Sequence, residues 1–184
     1  MSSPAHAKPG SPGRAIAACA AVLAAGGAAG LVAGLVWARL APRPVYQVFG
    51  QGVAYVVNAE TTAFIAADAW FCLIGVIGGL VLGTAGYLFA VRWHGPAGMA
   101  AVLVGSVGAG LSARWVGQGA GLAQFNEALA AGHAGALLHA PLLLGGDSTT
   151  ILWPAVVSWP FGASVAAGAL VLLASRRPAL SPMR

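Results

Sequence analysis

Residues 71–90 read FCLIGVIGGLVLGTAGYLFA, a run of twenty residues without a single charge. At ~1.5 Å per residue, a helix of this length crosses the ~30 Å hydrocarbon layer of a bilayer. The rest of the 184-residue chain has the same character, since 59% of it is hydrophobic and 7% is charged, against ~25% charged residues in a typical soluble domain. So few charges cannot cover a surface that faces water. The sequence therefore predicts an all-α membrane protein.

Three further apolar segments join this one and predict a bundle of four transmembrane helices. We place the spans at about residues 15–40, 64–91, 98–116 and 151–174. They form a single membrane domain, 14–177, between a disordered cytoplasmic tail at 1–13 and a short cytoplasmic tail at 178–184. The loops at 41–63 and 117–150 then both lie on the outer side.

Basic residues decide which side of the membrane is the inner one. With the N-terminus inside, the inner side carries six basic residues and no acidic one, whereas the outer side carries three basic and four acidic residues. This excess is what the positive-inside rule requires, so we expect a multi-pass protein of the bacterial plasma membrane with both termini in the cytoplasm. Because the basic residues are scattered beside apolar segments, we expect no nucleic-acid partner. Four tryptophans near the outer ends of the spans predict an aromatic belt: Trp37, Trp70, Trp115 and Trp153.

Glycines recur at every fourth position in the first two spans. These small-xxx-small ladders let helix backbones approach closely in lipid, where no hydrophobic force drives association. Two interpretations are open: packing within one bundle, which we favour, or a face for a partner or a second copy. The ladders consist of Gly26, Gly30 and Gly34 in the first span and of Gly75, Gly79 and Gly83 in the second.

The outer loops predict a small extracytoplasmic cap. Val45–Phe49 and Val53–Val57 are rich in β-branched and aromatic residues and flank a glycine-containing turn, which predicts a β-hairpin. The stretch from Leu122 to Pro141 predicts an amphipathic helix, with leucines and Phe125 on its apolar side, that lies on the membrane surface or caps the bundle. A lone hairpin is marginally stable in water, so we expect it to lean on this helix.

One carboxylate stands inside the predicted membrane region. Asp68 lies about a turn into the second span, where an isolated charge costs ~2.5 kcal/mol or more at depth and somewhat less near the interface. Arg114, near the outer end of the third span, is the expected ion-pair partner, and Arg39, at the outer end of the first, is the alternative. We interpret the pair as a structural clamp, while a polar site for a substrate or ion is the other interpretation. Glu60, upstream of the span, we interpret as an acid that complements the start of a helix.

The sequence has no recognisable catalytic or metal-binding set. It lacks a nucleophile elbow, a phosphate-binding loop and a zinc-protease motif. His133 and His139 share a loop, but their spacing does not put two ligands on one helix face. Cys19 and Cys72 are expected near opposite membrane faces as free, buried thiols. We therefore expect no enzyme activity, no metal and no cofactor.

Four short stretches carry a resemblance to a known family: APRPV at 41–45, GVAY at 52–55, Glu60 with FIAAD at 64–68, and WF at 70–71. In these stretches and in its glycine-rich second span, the chain resembles a family of small actinobacterial membrane proteins. The family is uncharacterised and is described as a domain of unknown function. The resemblance implies four spans with an outer hairpin over nearly the whole chain, and it implies no established activity, substrate or cofactor. Ala69 departs from the family pattern, which has glycine there.

Three functions remain open on the sequence alone. The leading hypothesis is a non-catalytic accessory or scaffolding protein of the cell envelope, which binds a membrane or envelope partner, or a second copy, through its cap or a glycine face. The alternative is a small transporter or permease subunit with an outer-leaflet polar site at Asp68 and Arg114, and the third is an enzyme acting on lipid-linked substrates. A conduit needs polar groups that meet inside the membrane, and the spans offer five hydroxyls: Thr84, Ser106, Ser112, Ser158 and Ser164.

Overall fold

The computed structural model describes residues 12–50, 52–58, 62–142 and 154–176. Glu60, Trp153, the start of the predicted fourth span and most of both predicted tails lie outside this part of the chain. The elements follow in this order: α1 (Pro12–Leu40), β1 (Val45–Gly50), β2 (Val53–Val56), α2 (Ala63–Gly86), α3 (Pro96–Gly119), α4 (Leu122–Ala131), β3 (Leu137–His139) and α5 (Ser158–Ser175).

Within the described residues, four helices are long and apolar enough to cross a membrane: α1, α2, α3 and α5. Their outward faces are apolar, since Val32, Ile77 and Leu172 are all more than half exposed. Water would penalise so much exposed apolar surface, whereas lipid solvates it. The predicted architecture of a helical bundle with four such helices is confirmed.

The end of α2 differs from the prediction. After Gly86 the helix continues through one π-helical turn, Tyr87–Val91, and a final α-helical turn, Arg92–His94. Gly95 then adopts a φ of +54°, which favours glycine, and Pro96 begins α3 directly. The tight turn predicted over residues 92–97 is therefore reduced to a corner at Gly95, because the helices on both sides extend into it.

The long helices pack mainly as two pairs that are not consecutive in sequence, α1 with α3 and α2 with α5. The glycine ladders lie at these two contacts. A Cβ atom added to Gly30 would be 2.8 Å from the Ala109 Cα, and one added to Gly83 would be 2.7 Å from the Ala163 Cα, so any side chain would collide with the neighbouring backbone. Gly26 and Gly34 meet the backbone of α3 in the same way, and Gly79 meets that of α5, whereas Gly75 lies against the side chains of Ser158 and Trp159 on α5.

Large buried side chains gather at the end of the bundle where α1 ends and α2 begins. Trp37 is fully buried, and its ring meets that of Phe71 edge-to-face with the centroids 5.0 Å apart. Its Nε1 donates a 2.8 Å hydrogen bond to the Ala67 carbonyl. The prediction of Trp37 as an interfacial belt residue is therefore wrong, because Gly117 on α3 leaves room for the ring inside the bundle. Trp115, by contrast, is 75% exposed.

The strands form a three-stranded antiparallel sheet in the order β2-β1-β3. The predicted hairpin is present, with Tyr46 opposite Val56 and an irregularity in the register after Val48. The third strand was not predicted. It pairs with β1 so that Tyr46 also lies opposite Leu138.

The predicted amphipathic helix is present only in its first half. It ends at Ala131, and the following Gly132 and Gly135 adopt φ angles of +63° and +87°. These left-handed conformations turn the chain out of the helix. Leu137 and Leu138, which the sequence analysis assigned to the apolar side of a helix, are therefore strand residues.

The fourth apolar segment becomes α-helical later than predicted. A 3₁₀ turn, Pro154–Val157, precedes α5, which begins at Ser158. Pro160 lies in the first turn of α5. Its missing N–H has little effect there, because the first N–H groups of a helix have no partner within it.

Candidate functional site

The sheet packs on α4, the short helix that follows α3. Tyr46 packs edge-to-face on Phe125, with ring centroids 6.1 Å apart. The Gly52 N–H donates a 3.2 Å hydrogen bond to the Leu129 carbonyl, and Val48 exchanges backbone hydrogen bonds of 2.8 and 2.9 Å with the loop after α4. One face of the sheet therefore packs on the helix, as expected for a hairpin that leans on a support.

The opposite face of the sheet is exposed and mostly apolar, with Gln47 between Tyr55 and Leu137 in the register. Phe49 and Tyr55 are 63% and 62% exposed, and their rings meet edge-to-face at 5.5 Å. Leu137 is 62% exposed, and Val53 and Val57 extend the patch. An antiparallel sheet usually turns polar side chains to solvent, and an apolar patch in that place is typical of an interaction site. We call these five residues the outer sheet face.

The predicted clamp residues lie at the same end of the bundle. Arg114 on α3 is only 8% exposed, which is rare for arginine, and its Nε donates a 3.3 Å hydrogen bond to the Gln118 Oε1. Asp68 is half-buried on α2, and both Asp68 and Arg114 have polar or electrostatic contacts. Arg39 is exposed in the last turn of α1. Burial thus favours Arg114 over Arg39 as the partner of Asp68, and the pair itself stays a prediction.

Arg43 is a further basic residue of this end, and from the sequence it counts only as one of the three basic residues on the outer side. Its Nη2 donates a 3.0 Å hydrogen bond to the Ala38 carbonyl, and its Nη1 would be 2.7 Å from a Cβ on Gly121. Beside it lies a cleft of about 520 Å³ to which Gln124 and His139 also contribute. Nothing local in the sequence links these residues, because β3 brings His139 to the cleft.

Comparison with family models, with curated proteins and with solved structures finds no match for this chain. The resemblance to an actinobacterial membrane family therefore stays a prediction.

Two buried N–H groups have no hydrogen-bond partner among the described residues, the Trp159 Nε1 and the Gln118 Nε2. A buried donor left unpaired costs about 1–3 kcal/mol. The Trp159 ring instead fits between helices, against Gly75, Gly78 and Gly110. Van der Waals packing therefore fixes the position of Trp159. Its place between the helices was not predicted from the sequence.

Four hydroxyl groups of the spans turn back to their own helices. Thr84, Ser106, Ser158 and Ser164 each donate to a backbone carbonyl three or four residues earlier, over 2.6–2.8 Å. Such bonds satisfy a hydroxyl locally. These four hydroxyl groups therefore form hydrogen bonds within the chain segment that carries them, and do not form a common polar path.

Histidine and cysteine chemistry is sparse in the described part of the chain. No three His, Cys, Asp or Glu residues there are grouped closely enough to hold a metal ion. His133 follows α4, while His139 lies on β3. Cys19 and Cys72 are free thiols on α1 and α2, as predicted, but they are half-buried rather than buried.

Proposed function

We propose that this protein is a non-catalytic scaffolding or accessory protein of the bacterial cell envelope. In this proposal α1, α2, α3 and α5 span the plasma membrane, both termini lie in the cytoplasm, and the cap faces outward. The outer sheet face then binds a protein partner. The observation that carries the proposal is this exposed, mostly apolar face on a sheet that packs on α4.

The chemistry of the outer sheet face suits a protein contact. Aromatic residues are enriched in the energetically important centres of interfaces, and Phe49 and Tyr55 form such a pair at the exposed side of the hairpin. Phe49 and Tyr55 stand on the paired strands β1 and β2, and the nearby Val48 and Gly52 are hydrogen-bonded to α4 and the loop after it, so little conformational entropy is lost on binding. A partner with a complementary apolar surface would cover the patch.

The transporter alternative receives less support. A conduit requires polar groups that face a common space, and the hydroxyls of Thr84, Ser106, Ser158 and Ser164 are engaged by their own helices. Asp68 and Arg114 both belong to the capped end of the bundle, where a clamp between helices is the simpler role for the predicted pair.

Site-specific photocrosslinking in native membranes tests the proposal. A photoreactive phenylalanine analogue at Tyr55 or at Leu137 should yield the same discrete protein adduct. The matched control is Ile65, which is 76% exposed on α2 and is not part of the outer sheet face. The analogue placed there should give lipid adducts only.

A second variant links the adduct to the apolar patch. Phe49→Ser should lower the adduct yield at Leu137 at least several-fold while the amount of protein in the membrane stays the same. Equal adducts at all three positions, or solute movement by the purified protein alone in liposomes, would contradict the scaffold proposal.

A further inference from the structure

The other end of the bundle, away from the sheet, carries an apolar groove. It runs between the end of α2, the start of α3 and the end of α5. Tyr87, Val91 and Met99 form one wall, and Val171 and Leu172 form the other. The α5 side extends from residue 168 to residue 174, which is ~9 Å along a helix axis.

The π-helical turn of α2 builds the inner part of this groove. Tyr87 and Val91 stand at the two ends of that turn. Directly beside it, a Cβ atom on Gly98 would be 2.7 Å from the Ala90 carbonyl carbon, so α2 and α3 touch backbone to backbone at the corner. The close corner leaves open space on the side of α5. Single π turns inside α-helices frequently occur at functional sites.

The mouth of the groove is cationic. Arg92 lines it, and its guanidinium lies 4.6 Å from the centre of the exposed Trp93 ring, a contact that holds the charge in place. Gly95 and Pro96, also at the mouth, begin α3 without a side-chain cap, so the positive end of that helix is turned toward the same space.

Charge at this end has one sign among the described residues. Arg14 and Arg176 lie at the same end as Arg92, at the start of α1 and the end of α5. The acidic residues that the structure describes, Asp68 and Glu127, belong to the capped end. An anion at the mouth therefore meets no opposing carboxylate from the elements that surround it.

We propose that this groove binds an anionic phospholipid. One acyl chain lies along the apolar walls, and the phosphate sits between the Arg92 guanidinium and the start of α3. The proposal goes beyond partner binding by the cap and depends only on the membrane embedding of the bundle. A zwitterionic lipid has the same acyl chains but a headgroup without net charge. The cationic mouth therefore predicts that the groove binds the anionic lipid more tightly.

Native mass spectrometry of the detergent-purified full chain tests this binding. Phosphatidylglycerol should bind about fivefold more tightly than phosphatidylcholine with the same acyl chains, the factor expected for one basic residue near an anionic headgroup. Arg92→Gln should abolish this preference and leave the weaker phosphatidylcholine binding unchanged. The matched control is Arg176→Gln, a basic residue of the same end that does not line the groove, and it should keep the preference.

A second pair of variants tests the groove itself. A Cβ on Gly168 would meet no atom within 4 Å, so Gly168→Leu should fill the groove without a clash and remove the binding of both lipids. Gly108→Leu, equally free of neighbours but on α3 outside the groove, should bind both as the parent does. Equal affinity for the two lipids, or unchanged binding by Gly168→Leu with its unfolding temperature preserved, would overturn the proposal. Neither result would affect the crosslinking at the cap.

Discussion

Trp37 owes its place in the core to a residue far along the chain. Gly117 on α3 leaves the space that the indole ring fills, and the Ala67 carbonyl on α2 accepts its N–H. One side chain therefore ties three helices together at the capped end. Because Trp37 lies near the end of a span, the sequence alone predicts that it is an interfacial residue.

Replacing Trp37 by Phe should destabilise the protein by about 2–3 kcal/mol, because the variant loses a buried hydrogen bond and leaves part of the cavity empty. The measurement is the free energy of unfolding in mixed detergent and denaturing-detergent micelles. Trp115→Phe is the matched control, since the same change at a 75% exposed position should have almost no effect. Equal losses in the two variants would show that Trp37 has no special role.

The Asp68–Arg114 clamp predicts a coupling between two substitutions. Asp68→Asn should lower the free energy of unfolding by about 3 kcal/mol, because it leaves the buried Arg114 uncompensated, and Arg114→Gln should lower it by less, because Asp68 is only half-buried. The double variant should then lose much less than the sum of the two. A second cycle of Asp68 with the exposed Arg39 should be additive.

Additive losses for Asp68 and Arg114 would exclude the clamp. A variant of Asp68 with normal stability and abundance but without cellular function would instead assign the carboxylate to a ligand. The two outcomes separate structure from function at this residue.

At the residue scale, the sequence could single out Asp68 because depth in the membrane is a local property. It could not place Trp37 or the Gln118 partner of Arg114. Their surroundings depend on which helices become neighbours, and that is decided by contacts between distant segments.

At the scale of whole elements, the two glycine ladders set the helix pairs. Each ladder lets a helix approach its neighbour until backbone atoms touch, which favours dispersion contacts along the whole line. A glycine that is adjacent to a ladder but outside it need not have such a role. Gly27, next to Gly26 on α1, has no neighbouring atom near the position of a Cβ.

Gly30→Ala should therefore lower the free energy of unfolding by about 1–3 kcal/mol, since its methyl group collides with the Ala109 backbone. Gly27→Ala, on the same helix and with the same change in size, should stay within about 0.5 kcal/mol of the parent. Thermal unfolding in detergent compares the two. If both variants are equally destabilised, the loss comes from the helix itself and the packing explanation fails.

The long elements were predictable because a helix of apolar residues leaves a continuous local signal. β3 was not, because its three residues become a strand only by pairing with β1, which lies far upstream. Its leucines also fit the apolar side of a helix. The sequence does contain a signal against one continuous helix. Gly132 and Gly135 interrupt the stretch, and the backbone is left-handed at both positions.

At the scale of the whole molecule, the charge asymmetry predicts an orientation that cysteine labelling can measure. In a background without Cys19 and Cys72, Asn126→Cys on α4 should react with a membrane-impermeant maleimide in intact cells. Ser175→Cys, at the end of α5, should react only after the membrane is permeabilised. The reverse pattern would invert the orientation, and labelling of both in intact cells would exclude an odd number of crossings between them.

The two helix pairs interleave along the chain, and this has a consequence for biosynthesis. A ribosome delivers α1 before α2, α2 before α3, and α5 last, so no helix finds its main partner in the segment that follows it. In a bundle that spans the membrane, α1 would remain without its main partner in the bilayer while α2 is inserted, and the ladder of α2 would stay uncovered until α5 is synthesised. The insertion machinery would therefore have to cover Gly75, Gly79 and Gly83 for longest. A nascent chain arrested before Ser158 would expose these three glycines, and quality-control proteases could recognise it.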